Sequence, residues 1–480
     1  MRLAVRRRPW AEALLAALTR PLLRHLREVQ VDDSALRALR ELAERDPIVF
    51  LPAHRSYLDS LVLARALGKA GFALPWRLAG ANLAFWPLGA IGRRSGMIFI
   101  RREFGTDPAY HAAVRSCLAD LLVRGHSIEW YPEAGRSRTG RLRKLRPGMP
   151  RLLVAAYEES GIEDVQVVPV SVVYDSLPDM EAVTAEDAGA IKRPEGLRAL
   201  IAYLLATRTL GPRRAWMTFG AAVSLREVTR DAAGEWGAAR VLTRRVAAGL
   251  RDATQVTAES LLALVFSASD GEPIGAADLL MQSGVLVEYA RQRRIPLCRR
   301  CPIESALDGL VRTRVLTRQA DGYRVTPGCE RILAYHRNVA EHWFLPRAAA
   351  ELVADGVITA KRIRTLLAQA DGFELRVEAE TSALDGGWER QPFLLAPRLL
   401  GPILAAYYDV AVSPATRAAP SAELRDAALA LLGAEGLLGR GVDAAARDDL
   451  IRELACLVLR LRAMAAHDAG QHAGTADVRR

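Results

Sequence analysis

Short apolar runs alternate with helical apolar periods from residue 46 to about 235, and that alternation predicts an α/β layered domain. Ile48-Val49-Phe50-Leu51 reads as a buried strand, Gly96-Met97-Ile98-Phe99-Ile100 as a second and Val167 through Tyr174 as a third. Between them, apolar positions recur at helical spacing over 115–122, 149–159 and 197–207. Trp216-Met217-Thr218-Phe219-Gly220, followed by Val223-Ser224-Leu225, reads as a late strand and its exit turn. Pro169 sits inside the third strand without an amide hydrogen, which predicts a sheet edge, a bulge or a special turn.

The pattern changes on both sides of this region. Residues 1–45 read as helical: Trp10 to Leu18 is amphipathic, and Glu41-Leu42-Ala43-Glu44-Arg45 closes a helix before Asp46-Pro47 breaks it. From 236 to 470 the chain is rich in Ala, Leu and Arg and predicts a mostly helical domain, with no internal repeat. Phe393 to Val412 is apolar but carries Arg398 and several prolines, predicting a pair of short helices. The polar residues from about 466 predict a frayed end, with 471–480 a disordered tail. The expected organisation is therefore an N-terminal amphipathic segment (1–45), an α/β domain (46–235), a helical domain (236–470) and the tail.

Net charge is +11 over 480 residues, a balance suited to anionic lipid surfaces, acidic carrier proteins or nucleic acid. Five cysteines, an odd number in a long chain, fit a reducing compartment rather than a disulfide framework. Cys298-Arg299-Arg300-Cys301 is a single pair with no partner pair at zinc-finger spacing, so no metal site is expected. No run of apolar residues is long enough to predict a spanning helix. Arg2, Arg6, Arg7 and Arg8 precede the amphipathic stretch without the apolar core of a secretory signal. A basic helix lying on a membrane and a helix packed into the core both fit that stretch.

The candidate chemistry begins directly after the first strand. His54-Arg55-Ser56-Tyr57-Leu58-Asp59 sets an imidazole and a carboxylate five positions apart at a strand-to-helix turn. A neutral imidazole takes a proton from a hydroxyl near neutral pH, and a carboxylate beside it fixes the ring tautomer and stabilises the imidazolium. Alone, this spacing is common and equally suits a helix start. Arg101-Arg102 follows the second strand. Tyr131-Pro132-Glu133-Ala134-Gly135-Arg136-Ser137-Arg138-Thr139-Gly140-Arg141 is a glycine-bearing loop dense in arginine. The planar arginine fork binds phosphate oxygens in pairs, so these segments suit a small anionic substrate, and Gly135 and Gly140 let backbone approach it closely.

In this order the His-x4-Asp turn, the Gly-x-x-Phe-Ile-Arg-Arg strand end, the Glu-x-x-Arg-Ser-Arg-type loop and the Val-Pro-Val strand resemble the four blocks of the glycerolipid acyltransferases. The paired arginines and the Arg-Ser-Arg-Thr-Gly-Arg run are most similar to the glycerol-3-phosphate and dihydroxyacetone-phosphate branch. Tyr335-His336-Arg337-Asn338 with His342 resembles a segment of the helical C-terminal region in that branch, which tips the acceptor toward glycerol 3-phosphate. The resemblance implies a glycerolipid-acyltransferase-like sheet flanked by helices. It makes His54 the general base and Asp59 its orienter. Arg101, Arg102, Glu133, Gly135, Arg136, Ser137 and Arg138 become the substrate-binding residues, and His342 a structural one. It also implies acyl-CoA or acyl carrier protein as co-substrate with no cofactor, and a peripheral position on the cytoplasmic side of the cell membrane.

One position departs from the pattern: Ala134 stands where the family has glycine, tolerable at negative φ and strained otherwise. Tyr131-Pro132-Glu133 is also similar to the lysophosphatidate acyltransferases, so that acceptor and dihydroxyacetone phosphate stay open. Two rivals belong to other classes. Ala306 to Val325 resembles the helix and β-wing of a winged helix, which with the net charge of +11 suits nucleic acid. The basic density lies instead beside His54, away from that wing, so no nucleic-acid partner is expected, and the arginine run from 136 to 146 also suits a membrane surface. A lipid-binding scaffold without turnover follows if Ala134 distorts the loop.

Overall fold

The computed structural model describes residues 7–477 apart from 25, 85, 87, 102–106, 178, 188–212, 268, 270, 368–372, 385–393, 414–421, 436 and 439–443. The expected helix over 197–207, Phe393 and the arginines before residue 7 lie outside the described residues. The chain divides into two compact units, one of residues 1–180 and 192–255, the other of 181–191 and 256–480.

The first unit is built on an eight-stranded sheet. In chain order its strands are β1 (Leu26–Val31), β2 (Ile48–Pro52), β3 (Trp76–Gly80), β4 (Met97–Ile100), β5 (Ile128–Glu129), β6 (Gln166–Tyr174), β7 (Arg213–Phe219) and β8 (Val223–Ser224). They lie side by side as β1-β7-β6-β2-β5-β3-β4, with β8 continuing beyond β7 along β6. The helices interleaved with them are α1 (Pro9–Arg24), α2 (Asp33–Ala43), α3 (Asp59–Lys69), α4 (Leu88–Arg94), α5 (Pro108–Val123) and α6 (Gly148–Ser160). Strands β6, β2, β5, β3 and β4 run parallel, and β7 turns antiparallel to β6. Every residue of β2 and β6 is buried, which is why both read as unbroken apolar runs. Helices α5 and α6 close one face over Val114, Leu118, Leu122, Leu152 and Leu153. This is the α/β layering that the periodicity predicts and the helix-flanked sheet that the resemblance implies.

Two element expectations change in this unit. Residues 26–31 form a strand within the segment expected to be helical; Val29 and Val31 alternate with polar residues, and parallel pairing with β7 makes β1 a sheet edge. Pro169 lies in an interior strand, paired with Leu51 of β2. Its backbone faces the gap where β7 ends and β8 begins, and its carbonyl accepts Gly220 N at 2.8 Å, so no ladder partner is denied a donor. The bland rule that proline needs an edge is met by a break in the neighbouring strand.

The second unit is mostly helical. Ala396–Val412 is one helix with Pro402 inside it, not the expected pair; Pro397 sits at its start, where a missing amide costs nothing. The stretch expected to fray continues the helix Ala444–Asp477, whose alanines favour that conformation. Helix Ile303–Arg312 is followed by an antiparallel hairpin, Leu316–Arg318 with Tyr323–Val325, to which Ile274 adds a bridge at Tyr323. The wing-like pattern is therefore present. Its helix exposes Glu304, Asp308 and Arg312, and its hairpin exposes Arg318 and Arg324. Among the described residues, no helix is long and apolar enough to cross a membrane.

Candidate active site

Because β2, β3, β4, β5 and β6 are parallel, their carboxyl ends share one edge of the sheet. The segments that leave that edge are the His54 turn after β2, Arg101 after β4, the Tyr131–Arg146 loop after β5 and Tyr174 at the end of β6. Motifs spread over more than a hundred residues thus converge at the place where open α/β sheets bind ligands.

His54 and Asp59 meet across the turn into α3. The His54 Nδ1 to Asp59 Oδ2 distance is 3.3 Å, with the imidazole side chain 19% exposed and the carboxylate fully buried. Oδ2 also accepts the backbone N–H groups of Arg55 and Ser56, each at 2.8 Å, and Oδ1 accepts the Tyr174 hydroxyl at 2.7 Å. Both carboxylate oxygens thus find their donors inside the protein, which fixes the group in its buried place. With Nδ1 turned to Asp59, Nε2 is the nitrogen left to act as base.

The arginine loop is tied to His54 by its backbone. Ser137 N donates to His54 O at 2.8 Å, and His54 N donates to Glu133 Oε1 at 2.7 Å. The second oxygen of Glu133 accepts Arg143 N at 2.8 Å, and Ser137 Oγ donates to Arg141 O at 2.7 Å. Glu133 and Ser137 are both buried. Burial pushes the Glu133 carboxyl above its usual range, opposed by the two backbone donors. Glu133 and Ser137, expected among the substrate-binding residues, also hold the catalytic turn and the loop in one register. The room that Gly135 leaves is taken by the Arg143 guanidinium, which a Cβ there would meet at 2.5 Å. Gly140 has φ of +88° and Ala134 of +53°. The alanine departure therefore falls at a left-handed position.

The arginines are placed unequally. The Arg136 guanidinium stacks 3.9 Å from the Tyr57 ring centroid and forms an ion pair with Asp179. Arg138 is exposed. Arg101 is exposed too, 4.7 Å over the Tyr110 ring and 3.5 Å from Asp107. Arg102 lies outside the described residues.

Four further residues belong to this site, and only the register of the sheet reveals them. Tyr174 holds Asp59. Tyr131 lies against the His54 ring, centroids 4.1 Å apart, and its hydroxyl donates to Glu129 Oε1 at 3.2 Å. Burial raises both the Tyr131 hydroxyl and the Glu129 carboxyl above their usual ranges. Arg55, buried, donates to Ser171 Oγ and Val172 O at 3.1 Å, tying the catalytic turn to β6. In the second unit, Arg337 Nε donates to Asn338 Oδ1 at 3.0 Å on the helix Glu330–Ala354, and His342 lies beside Trp343. No cluster that could ligate a metal occurs among the described residues.

Residues 33–173 match the Acyltransferase family model, and residues 184–377 match that of the glycerol-3-phosphate acyltransferase C-terminal region. The chain is 32% identical over 341 residues to plsB1 of Mycobacterium tuberculosis, provisionally named an acyltransferase, a match covering 68% of this chain and 54% of that protein. It is 28% identical over 350 residues to the glycerol-3-phosphate acyltransferase of Haemophilus ducreyi, covering 68% of this chain and 43% of the other. The chain spans about half the length of these relatives. The 1-acyl-sn-glycerophosphate acyltransferase PlsC of Thermotoga maritima superposes at a TM-score of 0.27 and 15% identity, over 50% of this chain and 92% of that one, too slight a likeness to bear on the site.

Proposed function

The chain belongs to the glycerol-3-phosphate acyltransferase family, and from that membership we propose that it transfers a fatty acyl group from a thioester to the sn-1 hydroxyl of glycerol 3-phosphate, giving lysophosphatidate. The observation that carries the reading is the His54–Asp59 pair, buried on the carboxylate side and open on the imidazole side, at the sheet edge where the arginine loop emerges. His54 Nε2 takes the hydroxyl proton while the hydroxyl oxygen bonds to the thioester carbonyl carbon. The tetrahedral adduct then breaks its C–S bond, and the leaving sulfur recovers the proton from the imidazolium. Asp59 stabilises that imidazolium.

Arg101, Arg102, Arg136 and Arg138 are the proposed phosphate ligands. Arg136 is pre-oriented by Tyr57 and Asp179, which lowers the ordering cost of binding. Fixing the acceptor by its phosphate holds the hydroxyl beside His54, an effect of about 7–11 kcal/mol in favourable intramolecular systems. The donor is acyl-CoA or acyl carrier protein; the thioester carries its own driving force, so the step needs no cofactor.

The reading also includes a peripheral position on the cytoplasmic face of the membrane. Helix α1 supports it: Ala11 and Leu15 face the protein, while Trp10, Ala13, Leu14, Ala17 and Leu18 form an exposed, wholly apolar stripe at helical spacing.

The test is incubation of the purified chain with palmitoyl-CoA and labelled glycerol 3-phosphate, beside His54→Ala. Labelled lysophosphatidate from the wild type, reduced at least about 100-fold in the variant, supports the reading. Thioester binding without product, with acyl carrier protein and the other acceptors also tried, turns the chain into a scaffold.

A further inference from the structure

The carboxylate that orients His54 is held from two directions. The backbone donors of Arg55 and Ser56 reach Oδ2 from the same turn, four and three residues before Asp59. The Oδ1 atom is held from β6, by the hydroxyl of a tyrosine 115 residues away. Rotation about the bond to a carboxylate is soft and nearly two-fold, so donors crowded on one oxygen leave the plane of the group loosely defined. A short O–H···O contact at the other oxygen fixes it. Tyr174 is itself immobilised: it is buried, its Cα pairs with Ala215 of β7, and the following residue, Asp175, accepts Arg214 N at 2.9 Å.

We propose that Tyr174 is a positioning residue for proton transfer, its hydroxyl fixing the plane of the Asp59 carboxylate and hence the aim and basicity of His54 Nε2. The hydroxyl also withdraws charge from Asp59. Losing it lets the carboxylate hold the Nδ1 proton more strongly, so the imidazolium persists to higher pH. The other ionisable groups around the pair are Tyr131 beside the imidazole with Glu129 bonded to its hydroxyl, Glu133 and Arg136 in the loop with Asp179 paired to Arg136, and Arg55 in the turn. All of them remain in a Tyr174→Phe variant, which deletes one oxygen and keeps the ring. The activity readout rests on the acyl transfer proposed above; the inference also has a readout that does not.

The experiment compares wild type, Tyr174→Phe, Asp59→Asn and the double variant. Expected for Tyr174→Phe is a fall in kcat of about 10- to 100-fold, the size of a lost hydrogen bond to a charged group. KM for glycerol 3-phosphate and palmitoyl-CoA should stay within about twofold, because neither substrate is bound by the hydroxyl. The acid limb of the pH–rate profile should move to higher pH. In the Asp59→Asn background the same substitution should cost little more, since Tyr174 acts through Asp59. An unmoved profile, or a loss that adds in full to that of Asp59→Asn, overturns the inference. The downfield imidazole N–H proton resonance, read in the intact protein without substrate, decides the matter even if no variant turns over. A shift on Tyr174→Phe supports the inference, and an identical resonance overturns it.

Discussion

Ala134 pays a conformational cost that its neighbours impose. With φ at +53° its methyl group crowds the following carbonyl, at about 1–2 kcal/mol for an L-residue. The backbone cannot relax, because Glu133 is bonded to His54 N and Arg143 N, and Ser137 N to His54 O. Replacing Ala134 by Gly removes the clash and returns part of the gain as added freedom of the unfolded chain, so a net stabilisation of about 0.5–1 kcal/mol is expected. Denaturant unfolding measures it, and a lower midpoint contradicts the strain. Glu133→Gln is expected to do the reverse. One oxygen becomes an amide that faces a backbone donor, which costs about 1–3 kcal/mol and loosens the peptide that carries His54. Unfolding and turnover should fall together in that variant; full activity with normal stability would remove Glu133 from the brace. At this scale the sequence reveals what is local. His54, Asp59, Glu133 and Ser137 stand at short, fixed spacings along two turns. Tyr174, Tyr131 and Arg55 do not announce themselves, because their contacts depend on β2 lying between β6 and β5, a register that no single segment encodes.

Elements were legible in proportion to the length of their own pattern. Strands β2 and β6 and helices α5 and α6 are continuous apolar or periodic stretches, whereas β5 is two residues long and β1 alternates only weakly. The helix Ala396–Val412 escaped for another reason: its start is fixed by a distant side chain. Glu351, fully buried on Glu330–Ala354, accepts Leu395 N and Ala396 N at 2.8 and 2.7 Å, and pairs with Arg347 at 3.2 Å. Arg398, also buried, donates to Leu394 O and to Gln282. Burial lifts the Glu351 carboxyl to about 7, against an ordinary 4.5. Between those two values the folded chain binds a proton that the unfolded chain does not, so this group makes unfolding harder as pH falls from 8 to 6. Comparing denaturation at the two pH values for wild type and Glu351→Gln isolates it. The wild type should gain stability on acidification relative to the variant, and equal slopes would return the Glu351 carboxyl to its ordinary range.

For the whole molecule the decisive quantity is the joint action of charge and one exposed stripe. A net charge of +11 draws the chain toward an anionic surface, but such attraction is screened over about 8 Å at physiological salt and does not by itself hold a protein there. The apolar stripe on α1 adds burial that salt does not weaken, and Trp10, 55% exposed, suits the interface between headgroups and chains. Arg8 and Arg20, both exposed, flank the stripe with the sign that anionic headgroups attract. Two signals predict two separable losses. On vesicles containing phosphatidylglycerol, binding of the wild type should weaken between about 50 and 500 mM salt without vanishing. The double variant Leu14→Asp, Leu18→Asp should bind weakly at low salt and not at all at high salt, while its turnover of soluble substrate is retained, since α1 carries no residue of the site. Sedimentation with vesicles reads both. If the variant sediments as the wild type does, the stripe faces something other than lipid; if wild-type binding is indifferent to salt, the charge of this chain serves the substrate phosphate and not the membrane.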